Sequence, residues 1–170
     1  MEKTLHTDTY VRYTAPCDKE RCVIFDLDDT LARYCKTRRL TKCHEFEPMQ
    51  EQLALALEAQ GKGQALVIAS ARPEWTVKGS FTWLETHGLT PSAVYLRNRQ
   101  HLTYRPEELK EGMLRDILSR YQVESFHDDA PNTIRMARAL GINACWVKGN
   151  EDYWASKGQF PSDLQTTGTH

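Results

Sequence analysis

The sequence has no apolar run approaching the length of a membrane span, and its opening residues, Met1 to Tyr10, are polar where a signal peptide would carry an apolar core. The cytoplasm is therefore the expected compartment, with no membrane partner. An excess of one charge is also missing: 22 Lys and Arg face 23 Asp and Glu, a formal net charge of -1. That removes both a global basic field for nucleic acid and an acidic solvating tail, so any contact with a polynucleotide must be local. The five cysteines, at 17, 22, 35, 43 and 145, contain no Cys-x-x-Cys pair. A zinc site from Cys35, Cys43 and His44 is thereby disfavoured, and free thiols are expected. Repeats, low-complexity tracts and interdomain linkers are absent too. So is Gly-x-x-x-x-Gly-Lys-Ser/Thr, for which Gly61-Lys62-Gly63 is too short.

What is present is an ordinary globular composition, 40% hydrophobic and 26% charged, over a length that suits one domain with a full core. Residues 1–20 read as a polar N-terminal extension of no assigned role, with 10–13 as an extended edge segment. A core follows over 21–150. In it, short apolar runs at 22–27, 65–70, 93–96, 123–126 and 143–147 alternate with helical stretches. Pro48 and Pro106 open two of those stretches, Pro73 begins a third and residues 130–140 form the fourth. That alternation predicts an α/β fold, a doubly wound (Rossmann-like) parallel sheet of about five strands with helices on both faces. Past Gly149 the tail, 151–170, shows no helical period.

Cys22-Val23-Ile24-Phe25 is a buried-strand pattern that runs directly into Asp26-Leu27-Asp28-Asp29-Thr30. Such a terminus is either a solvated acidic turn or a carboxylate cluster at the C-terminal edge of a parallel sheet, where open α/β folds bind ligands. The other strand ends favour the second reading. The run at 65–70 ends in Ser70-Ala71-Arg72, and that at 123–126 in His127-Asp128-Asp129; Lys110 lies at the first turn of the helix before it. Carboxylates, a hydroxyl, an ammonium and a guanidinium gathered on one edge suit a divalent cation and a phosphoryl group. Hard oxygen ligands favour Mg2+. His127 reads as structural.

These four motifs, in this order, resemble those of the haloacid dehalogenase (HAD) superfamily of phosphohydrolases, over about residues 21–150. The resemblance implies that Asp26 is a nucleophile forming an aspartyl-phosphate and Asp28 the general acid and base. It implies that Ser70 and Lys110 hold phosphoryl oxygens, and that Thr30 buttresses the loop on the substrate side. Mg2+ would be bound by Asp26, the Asp28 carbonyl and the pair Asp128 and Asp129, with Asp128 alternatively orienting Lys110. The gaps between motifs are too short for a full cap domain, so an open crevice is expected.

Ser70-Ala71-Arg72, Trp83-Leu84, Tyr95-Leu96-Arg97, Tyr104-Arg105-Pro106 and Ala144-Cys145-Trp146-Val147 are further similar to the phosphatase domain of phage-type polynucleotide kinase–phosphatases. The family usually has Gly at the positions of Asp29 and Ala71. This closer resemblance implies removal of 3′-phosphates from nucleic-acid ends, with Arg72 and either Arg38 or Arg39 contacting substrate phosphate. A 5′-nucleotidase for (deoxy)nucleoside monophosphates is the alternative. An inactive nucleotide-sensing module is a third reading, weakened because none of the motif residues is lost. Basic residues in 33–42 and 97–105 could line a strand track, with Tyr34, Trp75 and Tyr104 as stacking groups.

Overall fold

The structure, a computed structural model, describes residues 1–100 and 105–164. Seven strands form one sheet: β1 (Glu2–His6), β2 (Tyr10–Thr14), β3 (Arg21–Phe25), β4 (Ala65–Pro73), β5 (Ala93–Arg97), β6 (Gln122–Asp128) and β7 (Ala144–Trp146). Their order is β1-β2-β5-β4-β3-β6-β7. The five from β3 to β7 are mutually parallel; β1 and β2 add an antiparallel hairpin against β5. The expected five-strand sheet is therefore a seven-strand one. Residues 2–6 and 10–14 of the N-terminal extension join the sheet, and the extended segment expected at 10–13 is β2, an inner strand and not an edge one.

The polar look of that segment has a physical reason. β1 is an exposed edge strand, whereas β2 feeds both layers, Val11 and Tyr13 on one side and Tyr10 on the other, with Arg12 between the two inward residues. Arg12 is anchored all the same: its guanidinium lies 2.7 Å from Asp116, which also accepts from the Tyr95 hydroxyl at 2.6 Å.

The helices α1 (Gln50–Gly61), α2 (Val77–Thr86), α3 (Pro106–Leu118), α4 (Pro131–Ala139) and α5 (Glu151–Ser156) complete the chain. Two apolar layers sandwich the sheet. Leu53 and Ala56 of α1 with Trp83 and Leu84 of α2 pack on the side of Val23 and Phe25. Leu109, Met113 and Ile117 of α3 with Ile134 and Ala137 of α4 pack on the side of Cys22 and Ile24. Alternate residues of β3 thus feed opposite layers, which is why its sequence is apolar throughout. Gly88 and Gly141, with φ of 75° and 82°, follow the ends of α2 and α4 in the left-handed conformation that stops a helix cleanly.

Two boundaries differ from expectation. β4 runs on through Pro73, and α2 starts only after a short 3-10 turn, Glu74–Thr76. Lys110 is the fifth residue of α3, in its second turn. Between β3 and α1 the chain forms one 3-10 segment, Leu40–Glu45, and no separate cap domain. No helix among the described residues is long and apolar enough to cross a membrane.

Candidate active site

The chain leaves β3 towards β4 on one side and returns through α3 to β6 on the other. The C-terminal ends of β3 and β6 therefore flank the switch point of the sheet, where neighbouring connections diverge and open a crevice. Asp26 follows β3, Asp128 ends β6 and Asp129 comes directly after it. Their carboxylate oxygens lie within 4.8 Å of one another, and all three residues are buried. Lys110 reaches in from α3, its ammonium 2.8 Å from Asp26 and 2.5 Å from Asp128.

Three carboxylates against one ammonium leave two negative charges unbalanced. Burial pushes the Asp26 carboxyl up to about 7, with Lys110 opposing and Asp128 adding to the shift. Burial likewise raises Asp129, reinforced by Asp128 and Asp26. Burial alone would discharge Lys110, but the flanking carboxylates reverse the effect and keep it charged. An all-oxygen set short of positive charge is the donor chemistry of a hard divalent cation, and the residues fit one.

Asp28 is turned away from this cluster. Its carboxylate takes a bidentate pair of hydrogen bonds from Arg72, 3.0 Å from Nε and 2.7 Å from an Nη. The other Nη of Arg72 donates to Ser80 at 3.0 Å, and the guanidinium is fully buried. A register shift between Ala69 and Pro73 where β4 meets β5 brings Ser70 and Arg72 to this edge. Ser70 accepts from the Arg72 amide at 3.1 Å. Thr30 is buried beneath the cleft, its hydroxyl 3.4 Å from Asp26 Oδ2.

These groups line a cleft of about 540 Å³ together with Arg33, Tyr34, Lys36, Asn150, Tyr153 and Trp154. Asp26, Asp28, Ser70, Arg72, Lys110, Asp128 and Asp129 are all brought together there. Arg38 and Arg39 are not among the lining residues: Arg38 is paired with Glu45, donating to its carbonyl at 3.1 Å, and Arg39 is exposed. Arg33 and Lys36, from the same basic stretch, face the cleft instead. Tyr104 lies outside the described residues. His127 stacks on Phe25, ring centroids 4.4 Å apart, and contacts Ser125 at 3.0 Å.

Two features had no sequence signal. Asn150 and Trp154 both donate to Asp129, from a segment without helical periodicity. Ser80, on α2, could not be told from any other helix serine. Asp29 sits at φ 59°, the left-handed region, which accounts for the glycine usual at this position. Its side chain offsets the strain by accepting from the Tyr34 amide at 3.1 Å and from Asn150 at 2.9 Å.

The polynucleotide kinase PNKP phosphatase domain, as a family profile, matches residues 20–153. The chain belongs to that family. It is thus a HAD-superfamily phosphatase domain, a phosphoric monoester hydrolase. Solved structures agree on the fold. A chain of the Pnkp1/Rnl/Hen1 RNA repair complex is 22% identical, with a TM-score of 0.66, covering 79% of this chain and 45% of that one. A HAD-like phosphatase from Mesorhizobium loti is 12% identical, with a TM-score of 0.68 and coverage of 85% and 82%. The D,D-heptose 1,7-bisphosphate phosphatase from B. bronchiseptica, complexed with magnesium and phosphate, is 12% identical, with a TM-score of 0.58 and coverage of 84% and 89%. The PNKP-family chain spans less than half the length of the RNA repair chains it matches. No curated protein matches it significantly.

Proposed function

We propose that this phosphatase domain is Mg2+-dependent and removes 3′-phosphates from polynucleotide ends through an aspartyl-phosphate on Asp26. The observation that carries the chemistry is the Asp26–Lys110–Asp128 chain of contacts beside Asp129. It sets three buried carboxylates against a single ammonium where the strand ends meet the cleft. Asp26 Oδ2 accepts from Thr30, and Lys110 holds Oδ1, so the nucleophile is fixed before substrate arrives.

Asp26 attacks phosphorus in line as the bond to the leaving 3′-oxygen breaks, and Asp28 supplies the proton that oxygen needs. Water then attacks phosphorus, giving its proton to Asp28, as the bond from phosphorus to Asp26 breaks, so the Asp26 carboxylate is regenerated and inorganic phosphate is released. Ser70 and Lys110 hold the phosphoryl oxygens as charge develops. Arg72 aligns Asp28 in the resting site. A phosphoryl group in the cleft would compete for that guanidinium and free the Asp28 carboxyl for proton transfer. Asp26, Asp129 and the Asp28 carbonyl would hold Mg2+, with Asp128 committed to Lys110. When bound, the cation neutralises the carboxylates and draws charge from the phosphoryl oxygens.

A polynucleotide is the leading substrate because the cleft does not end at the catalytic groups. A second groove of about 370 Å³ shares Arg33, Tyr34 and Lys36 with it and continues to Arg38. Arg33 and Lys36, beside an aromatic ring that is 38% exposed, suit a phosphodiester strand, while Arg38 further along is paired with Glu45 and Glu47 also lines the groove. Free nucleoside monophosphates are the second reading, since a cleft of about 540 Å³ falls within the ordinary range for small-molecule sites.

The deciding experiment compares a 3′-phosphorylated oligonucleotide with deoxynucleoside monophosphates and sugar phosphates, with Asp26→Asn as the control. If Arg33 and Lys36 each meet one backbone phosphate, the logarithm of oligonucleotide affinity should fall with log salt at a slope of roughly 1.4. A flat salt response, with mononucleotides hydrolysed faster, would replace the polynucleotide reading with the nucleotidase one.

A further inference from the structure

Asp129 is gripped by a segment outside the four motifs. Its Oδ2 accepts from Trp154 Nε1 at 2.7 Å and from Asn150 Nδ2 at 3.2 Å. The same Asn150 nitrogen donates to Asp29 Oδ2 at 2.9 Å, tying the strained residue of the nucleophile loop to the acidic pair. A second indole, Trp146 on β7, donates to the Asp129 backbone carbonyl at 3.1 Å. Asn150 immediately precedes α5 and Trp154 lies within it, so one short strap carries both side-chain donors. The family match ends at residue 153, one residue short of Trp154.

The two acidic residues are held by different chemistry. Asp128 meets the Lys110 ammonium on one oxygen and the Ala130 amide on the other, at 2.8 Å, so both of its oxygens are engaged. Asp129 meets two neutral N–H donors on a single oxygen. Neutral donors stabilise a carboxylate without adding a positive charge that would repel a cation. Two of them converging on Oδ2 fix the side-chain torsion and leave Oδ1 for a ligand. Such outer contacts set the orientation and basicity of a ligating oxygen.

We propose that Asn150 and Trp154 are positioning residues for the divalent cation, holding Asp129 with one oxygen presented to it. The proposal rests on the reading of Asp26, Asp129 and the Asp28 carbonyl as the Mg2+ site, with Asp128 held by Lys110. It adds that α5 belongs to the catalytic domain, and that Asp29, replacing the usual glycine, is part of the same brace.

The test is calorimetric titration of the full chain with MgCl2 alone, in wild type, Trp154→Phe and Asn150→Ala. Phenylalanine keeps a ring against Tyr153, whose centroid lies 4.9 Å away, and removes only the N–H. Each variant should bind Mg2+ about 10- to 100-fold more weakly, with an unchanged far-ultraviolet spectrum. Turnover of an aryl phosphate should recover as MgCl2 is raised. Variants that bind Mg2+ as tightly as wild type, while melting at lower temperature, would reduce the strap to a structural role and overturn the proposal. A wild-type chain that binds no Mg2+ would overturn both the proposal and the reading of the cluster, so the two failures are distinct. Should Trp154→Phe not fold, Asn150→Ala decides alone.

Discussion

Asp26→Asn should abolish turnover and, in chelated protein, raise stability. Asp26 is only 5% exposed, and without a cation its burial lifts the carboxyl from 3.8 to about 7. A folded-state value above the unfolded one means that stability is full while the group is protonated and is lost as the proton leaves. The loss therefore begins near pH 4 and is complete just above about pH 7. Roughly three units at about 1.4 kcal/mol each set a ceiling of about 4 kcal/mol. The amide forgoes the 2.8 Å ion pair with Lys110, but Lys110 keeps Asp128. A net gain of about 1–3 kcal/mol remains, a rise in Tm on the order of 5 °C for a domain of this size. Thermal unfolding in EDTA between about pH 4 and pH 8 measures it. The variant and wild type should converge at the acid end and separate as pH rises, and MgCl2 should restore the advantage to wild type. A variant that melts below wild type at pH 8 in EDTA, or a gap that ignores pH, would refute the reasoning.

Arg72→Ala should lower kcat more for a 3′-phosphorylated oligonucleotide than for an aryl phosphate, whose leaving group needs no proton, by about 100-fold in the first case. It should also destabilise by about 3 kcal/mol in urea unfolding, at the low end for a broken buried pair, because the Asp28 side chain is 26% exposed and can hydrate. Lys36→Ala should reduce the salt slope of oligonucleotide binding by roughly 0.7 while leaving aryl phosphate hydrolysis nearly unchanged. Gly79→Ala would place a Cβ 2.7 Å from Cys43 Sγ, where α2 crosses the 3-10 segment. Overpacking of about 1–3 kcal/mol against a helix-propensity gain of up to about 1 kcal/mol predicts a lower urea midpoint.

β3, β4, β5 and β7 were legible because they are buried on both faces and carry short apolar runs, whereas β6, half-exposed over Gln122 to Ser125, was legible from Val123, Phe126 and its acidic end. β2 was legible only as an extended segment at 10–13, not as an inner strand, and β1 was not legible at all, because the exposed Glu2, Lys3 and Thr4 leave it no apolar run. The motif residues were legible because parallel topology carries distant strand ends to one edge; Asp26, Ser70 and Asp128 meet without any local signal linking them. The partners of those residues were not. Arg72 could be placed in the crevice, but its bond to Asp28 depends on a register shift in β4 that no residue pattern specifies. Asn150 and Trp154 act through two N–H groups aimed at one oxygen, and a contact of that kind leaves no periodicity to read.

The charges in the cleft also order the binding events. Five aspartates, at 26, 28, 29, 128 and 129, face Arg33, Lys36, Arg72 and Lys110. In the resting site Arg72 is paired with Asp28, which a phosphate must first displace, and Arg33 and Lys36 lie on the groove side, so the phosphoryl position initially feels three carboxylates and one ammonium. A like-charge pair about 4 Å apart costs roughly 4 kcal/mol at the effective dielectric of a protein surface. A phosphate dianion arriving first would meet that repulsion more than once, with Lys110 and Ser70 to offset it and Arg72 only at the cost of its pair with Asp28. A cation arriving first meets attraction from the same groups and converts the site into one that accepts an anion. Inorganic phosphate should therefore bind measurably by calorimetry in MgCl2 and not in EDTA. Equal affinity in both buffers would mean that the arginines, not the carboxylate cluster, define the phosphoryl site.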